Sequence, residues 1–136
     1  MADPVIVKEW LEKAGEDFNF AAANLREGSS FYAQLCFHFQ QSAEKYLKAY
    51  IIARGLPFDR VHDLVHLLKT CSAHEPAFNN LIDECIYLNA AYIETRYPVH
   101  WPTDYTKETA EQAHLAASRI ADMVHEELGM SMRYPY

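Results

Sequence analysis

The residues best suited to chemistry lie in one short run, Arg96-Tyr97-Pro98-Val99-His100-Trp101. Arginine stays charged at any ordinary pH and grips phosphate through parallel N–H bonds. Histidine titrates near neutrality, so His100 is suited to take a proton from a ribose 2′-hydroxyl or to give one to a leaving oxygen. Arg96 would then stabilise charge building on the phosphorane. This pair is a minimal kit for metal-free RNA cleavage, and Tyr97 and Trp101 add rings on which a base can stack. A structural reading competes with it. An arginine at a helix C-terminus caps carbonyls and meets the negative end of the dipole, and the Tyr-Pro and Trp-Pro pairs pack a loop over a bundle end.

A second constellation is the polar stripe Gln34, His38, Gln41, Lys45 and Lys48, whose spacing places these residues on one face of a helix. As a binding groove, it would use Lys45, Lys48 and Arg96 for phosphates and His38 and Gln41 as lining. The plainer reading, weighed ahead of it, is a solvated face on which Glu44 and Lys48 form an i, i+4 pair. The segment HDLVH sets His62 and His66 four apart, a spacing that on a helix can offer two imidazoles to a metal. His62 falls before the capping Asp63, however, and reads better as a loop residue bonded to backbone, so no metal is expected. His114 and His125, with Ser118 beside them, read as a wet face or a dimer contact. Neither a glycine-rich phosphate loop nor a nucleophile motif occurs, and no cofactor is expected.

These groups must be positioned by helices. Asp3-Pro4 opens the first, whose apolar stripe is Val7, Leu11, Ala14, Phe18, Ala21 and Leu25, and Gly28 ends it, with Ser29 and Ser30 read as capping the next. The second runs from about Phe31 to Arg54, ends at Gly55, and carries Cys36, Phe39, Ala43, Leu47 and Tyr50. Asp63 caps a short third helix with Leu64, Leu67, Leu68 and Cys71. Pro76 opens a fourth, with Phe78, Leu81, Ile82, Cys85, Leu88 and Tyr92, ending near Arg96 before Pro98 and Pro102. The last starts near Thr106 and stops at Gly129, with a stripe of Ala110, Ala113, Ala117, Ile120, Val124 and Leu128. Short links between long amphipathic helices predict an all-α, up-and-down bundle of four long helices plus one short helix. Residues 1–129 form the bundle and 130–136 a loosely held tail or an arm reaching a partner.

Composition narrows the classes. The 136 residues suit one domain, half of them are apolar and 13% aromatic, which excludes disorder by composition. No apolar run nears the roughly 18–20 residues that span a bilayer, and the first residues lack a signal-peptide pattern, so a cytoplasmic protein is expected. Cys36, Cys71 and Cys85 are odd in number, widely spaced and set in apolar stripes, which predicts reduced core residues. A formal charge of −7 disfavours a broad basic face for long nucleic acid but permits a local cationic cleft or a basic partner.

The same segments resemble the HEPN family (higher eukaryotes and prokaryotes nucleotide-binding domain). FHFQQSAEKYLKAYIIARG is similar to its second-helix signature, RVHDLVHLL to its HDL-x-x-LL segment, YIETRYPVHWPTDYTKETA to its YI-x-TRYP loop, and WLEKAGEDFNFAAANL to its opening helix. The resemblance spans about Lys8 to Leu128. It implies a helical bundle, commonly a homodimer, often paired with a small nucleotidyltransferase in a toxin–antitoxin-like system. Some relatives look like metal-independent ribonucleases that use an Arg and a His with four to six residues between them, contributed by both subunits of a dimer; others are implicated in nucleotide binding. Here three residues separate Arg96 from His100, one of them Pro98. Three functions follow: a dimeric nucleotide- or partner-binding component of such a system, an endoribonuclease toxin using Arg96 and His100, or a purely structural dimerisation module.

Overall fold

The computed structural model describes residues 3–96 and 105–129, with only the backbone considered at 92–96. Helix α1 spans Pro4–Arg26, α2 Tyr32–Ala53, α3 Leu64–His74, α4 Ile82–Arg96 and α5 Lys107–Glu127, with a 3-10 segment, Pro76–Leu81, leading into α4. The described residues are all-helical, as the stripes predict.

Local chemistry sets most of these ends. Asp3 and Asp63 accept bonds from the first free N–H groups of α1 and α3, and Thr106 closes a reciprocal capping box with Thr109 on α5. Gly28, Gly55 and Gly129 each take a positive φ just past a helix, the left-handed turn that glycine adopts without a Cβ penalty. Two expectations are corrected. Phe31, not a serine side chain, is the N-cap of α2, and it makes no side-chain cap bond; Ser29 instead accepts from the Phe31 N–H at 3.3 Å. The expected fourth helix opens as 3-10: the Glu75 carboxylate bonds the Ala77 N–H, and the regular α-helix begins only at Ile82.

Helix α2 is the central rod, packed most extensively on α1, then on α5, α4 and α3. Its apolar stripe (Cys36, Phe39, Ala43, Leu47, Tyr50) is buried throughout. On α5 the buried face is largely alanine, with Ala110, Ala113, Ala116, Ala117 and Ala121 all inside, small side chains that leave room for the neighbouring helices. Arg54 ties the ends of α2 and α5 together by donating to the Glu127 carbonyl at 2.5 Å. Cys36, Cys71 and Cys85 are free thiols in the core, and burial pushes the pKa of each up to about 12. The expected wet face of α5 is corrected as well. His125 is buried with Nδ1 at 2.8 Å from the Ala121 carbonyl, and the half-buried His114 packs on Phe18 and Phe39. Burial lowers the His114 pKa.

Candidate functional site

From His38 to Lys48 the polar stripe of α2 is partly or wholly covered rather than solvated, while Gln34 stands exposed. Two carboxylates, one from α1 and one from α2 itself, organise it. Asp17 of α1 receives the Lys45 ammonium on one oxygen, and His38 Nδ1 lies 3.1 Å from the other. Glu44, only 4% exposed, pairs with Lys48 at 2.9 Å, and His62 Nδ1 lies 3.1 Å from both its oxygens. Gln41 donates to Gln40 at 2.7 Å and reaches toward Glu44, while Gln40 donates to the His62 carbonyl at 3.2 Å. His62 lies in the loop as expected, but its ring meets the Glu44 carboxylate rather than backbone, and its own carbonyl accepts from the Gln40 side chain. The contacts of Gln40 and Glu44 with His62 clamp the loop after α2 against the bundle, and those of Asp17 join α1 to α2.

Among the described residues Lys48 is the most deeply placed cation. At 6% exposure its ammonium sits 5.9 Å from the Trp10 ring centre and 5.8 Å from that of Phe58, which meet edge to face. With a carboxylate on one side and two rings around it, Lys48 is satisfied within the protein. A phosphate reaching it would have to displace Glu44. Lys45 differs: an ammonium has three donors, and Asp17 uses one. Lys45 also lines an open cleft of ≈ 280 Å³ with Glu9, Trp10 and Lys13. Of the residues predicted to bind, His38, Gln41, Lys45 and Lys48 thus gather on the α1–α2 side, and only Lys45 opens into this cleft. Glu9, Trp10 and Lys13 went unnoticed in sequence; the available signal was a tryptophan flanked by Glu and Lys at helical spacing.

Arg96 closes the backbone of α4, but its side chain, with Tyr97, His100 and Trp101, lies outside the described residues, as does 130–136. The elements flanking 97–104 are described. Ala91 of α4 and Tyr105 before α5 line a hollow of ≈ 200 Å³ with Cys36, Ile86, Tyr87 and Ala113. Tyr87 bridges the two helices by donating to the Thr109 carbonyl at 3.1 Å. Its other flank borders a smaller cleft with Asp83, Glu84, Leu115 and Arg119. There Arg119 holds one oxygen of Glu84 at 2.9 Å, and the other, Oε1, is buried without a hydrogen-bond partner. Ile86, Tyr87 and Leu115 stand exposed along this α4–α5 face.

His66 pairs with Asp59 and His62 with Glu44, so the two histidines of HDLVH face different acids. Among the described residues no group of three or more His, Cys, Asp or Glu side chains is placed to hold a metal. Among them, too, no helix is long and apolar enough to cross a membrane.

Known proteins fit this architecture. The HEPN domain model matches residues 7–128. A protein of Methanocaldococcus jannaschii named "Putative toxin MJ1304" is 25% identical over 132 residues, covering 88% of this chain and 86% of the relative. The crystal structure of TT1696 from Thermus thermophilus superposes with a TM-score of 0.74 at 33% identity, covering 89% of this chain and 97% of that one. That of ST0689, an archaeal HEPN homologue, gives 0.72 at 28%, covering 90% and 97%. With a family model spanning nearly all of its helices, the chain belongs to the HEPN family.

Proposed function

We propose that this chain is the HEPN component of a toxin–antitoxin-like pair, acting as a homodimer that binds a nucleotide or a partner protein, the partner being a minimal nucleotidyltransferase. The α4–α5 face carries this reading: Ile86 and Tyr87 are exposed and line an apolar hollow, with Leu115 exposed on the same face, which suits association with a neighbour. Similarity to an archaeal relative whose name includes the word toxin supports the system-level part. Expression of the chain alone should slow growth, and co-expression of its genetic neighbour should restore it. Sedimentation should give twice the monomer mass. A monomer without effect on growth would dismiss the proposal.

The second reading is a metal-independent endoribonuclease in which Arg96 stabilises the phosphorane and His100 moves the proton. It is supported by the pairing of an arginine and a histidine in the Arg96–Trp101 run, which begins where α4 ends. Arg96→Ala and His100→Ala should each abolish growth inhibition while leaving the dimer intact. Growth inhibition that survives both substitutions removes this reading and leaves the first.

A further inference from the structure

We infer that the segment following α5 folds back along the bundle and seats Arg133 on Glu84, in the cleft between α4 and α5. The inference needs neither a nucleotide nor a second protein, so it stands apart from the function proposed above.

Glu84 is the incomplete member of this face. Arg119 holds one of its oxygens at 2.9 Å, while Oε1 is buried and has no hydrogen-bond partner among the described residues. A carboxylate oxygen taken out of water without a donor is costly, more so than a neutral acceptor. Glu84 lines a cleft of ≈ 150 Å³ with Asp83, Tyr87, Gln112 and Arg119. Two carboxylates against one arginine leave the cleft short of a cation. Tyr87 adds a ring that is 41% exposed and held in place by its bond to the Thr109 carbonyl. A second guanidinium suits this lining: its planar fork donates to carboxylate oxygens while its face lies against an aromatic ring.

Arg133 is the one charged residue of 130–136, a segment outside the described residues. Gly129 takes a φ of 72°, the left-handed turn that carries a chain off the helix axis. At helical rise, Arg119 and Gly129 lie about 15 Å apart along α5. Four extended residues, 130–133, span about 13–14 Å, and the long arginine side chain covers the remainder. The direction fits as well. Gln112, Ala116 and Arg119 line the cleft at helical spacing, and the same stripe continues through Met123 to Glu126, close to where the segment begins. Asp122 and Glu126 are exposed along that end of α5, so a cation returning over it meets negative charge throughout. The cleft lies on the flank of Tyr87 opposite the apolar hollow, which therefore stays open to a neighbour.

Trypsin provides the test on the full-length protein, because the bond after Arg133 is cut only while that side chain is released. Glu84→Gln keeps the shape of the side chain and removes its charge. Cleavage after Arg133 should be about tenfold faster in this variant, as loss of one charged hydrogen bond implies. Chemical denaturation supplies a second readout. Arg133→Ala should lower the folding equilibrium constant about tenfold in the unmodified background and leave it unchanged in Glu84→Gln. Cleavage rates should not depend on protein concentration. Protection that appears only as the protein associates would seat Arg133 on a second copy and overturn the assignment. Equal cleavage in the unmodified protein and Glu84→Gln, with the effects of the two substitutions simply adding, would remove the pairing altogether.

Discussion

The two long faces of the bundle differ in how many charges they draw inward and in where a hollow opens beside their exposed apolar groups. On the α1–α2 side, charges are drawn inward and neutralised: Asp17 by Lys45 and His38, Glu44 by Lys48 and His62. On the α4–α5 side, Ile86 at 57% and Leu115 at 42% exposure stand along a face that also carries an apolar hollow, although α1 and the start of α2 leave Val5, Phe20 and Phe31 exposed as well. A buried charge array fixes geometry, because each member is costly to leave alone. An exposed apolar strip contributes nothing to a monomer's core and suits association instead. The first face reads as one that holds shape around a cleft, the second as one that meets a neighbour.

The largest expected effect tests the first half of that contrast. Lys48→Ala leaves Glu44 buried without its ammonium and should destabilise the fold by about 3–5 kcal/mol. Replacing both members, as Glu44→Leu with Lys48→Met, removes the charge and its partner together and should cost far less. His62, with its side chain 52% exposed, remains solvated in the double variant. Chemical denaturation of the set measures the coupling. A double variant as unstable as Lys48→Ala would show that the site needs these charges for packing, not that each needs the other.

How much of this was legible beforehand follows from the range of each interaction. Stripes at helical spacing are local, so Phe18, Phe39, Leu67, Leu88 and Ile120 could be assigned inward directly, and all are buried. The three glycine stops are local too. The Asp17–Lys45 and Glu44–His62 pairs depend instead on how α1 and the loop at 56–63 register against α2, 28 and 18 residues apart in the chain. Periodicity says that a stripe is polar, not whether water or another helix covers it, and so the α2 stripe read as solvated. His114 and His125 failed for the same reason: their ring contacts with Phe39 and Tyr46 come from another element. Ile82, expected inward, is 38% exposed because the 3-10 segment shifts the phase at which α4 begins.

A smaller effect is expected where α3 begins. Asp63 accepts from the Val65 N–H at 2.9 Å and from the Asn89 amide at 2.7 Å, tying the start of α3 to α4. Burial acts to raise its carboxyl pKa. The bonds from Asn89 and from the His66 and Val65 N–H groups, with the charge of His66, outweigh that and hold it below the ordinary value. A carboxyl with a lowered folded-state pKa stabilises fully above its unfolded pKa and loses that contribution as pH falls through the folded one. Asp63→Ala should therefore cost about 1 kcal/mol near neutrality. The gap to the unmodified protein should close as the pH drops through the acidic carboxylate range. A penalty unchanged at low pH would mean that the lost packing, not the charged cap, is what matters.

The smallest change in stability is expected on the α4–α5 face, and its smallness is the point. Ile86 and Leu115 already face outward, so Ile86→Glu and Leu115→Glu remove little buried area and should each shift stability by no more than about 0.5 kcal/mol. Association should respond in the opposite sense. Two copies joined across this face would oppose new carboxylates to Asp83, Glu84 and their own duplicates, and like charges brought together out of water weaken binding strongly. Sedimentation of Ile86→Glu should therefore show a shift toward monomer at an unchanged melting temperature. A fall in melting temperature without any change in mass would assign these side chains to the fold of one chain, and the distinction between a shape-holding face and a meeting face would collapse.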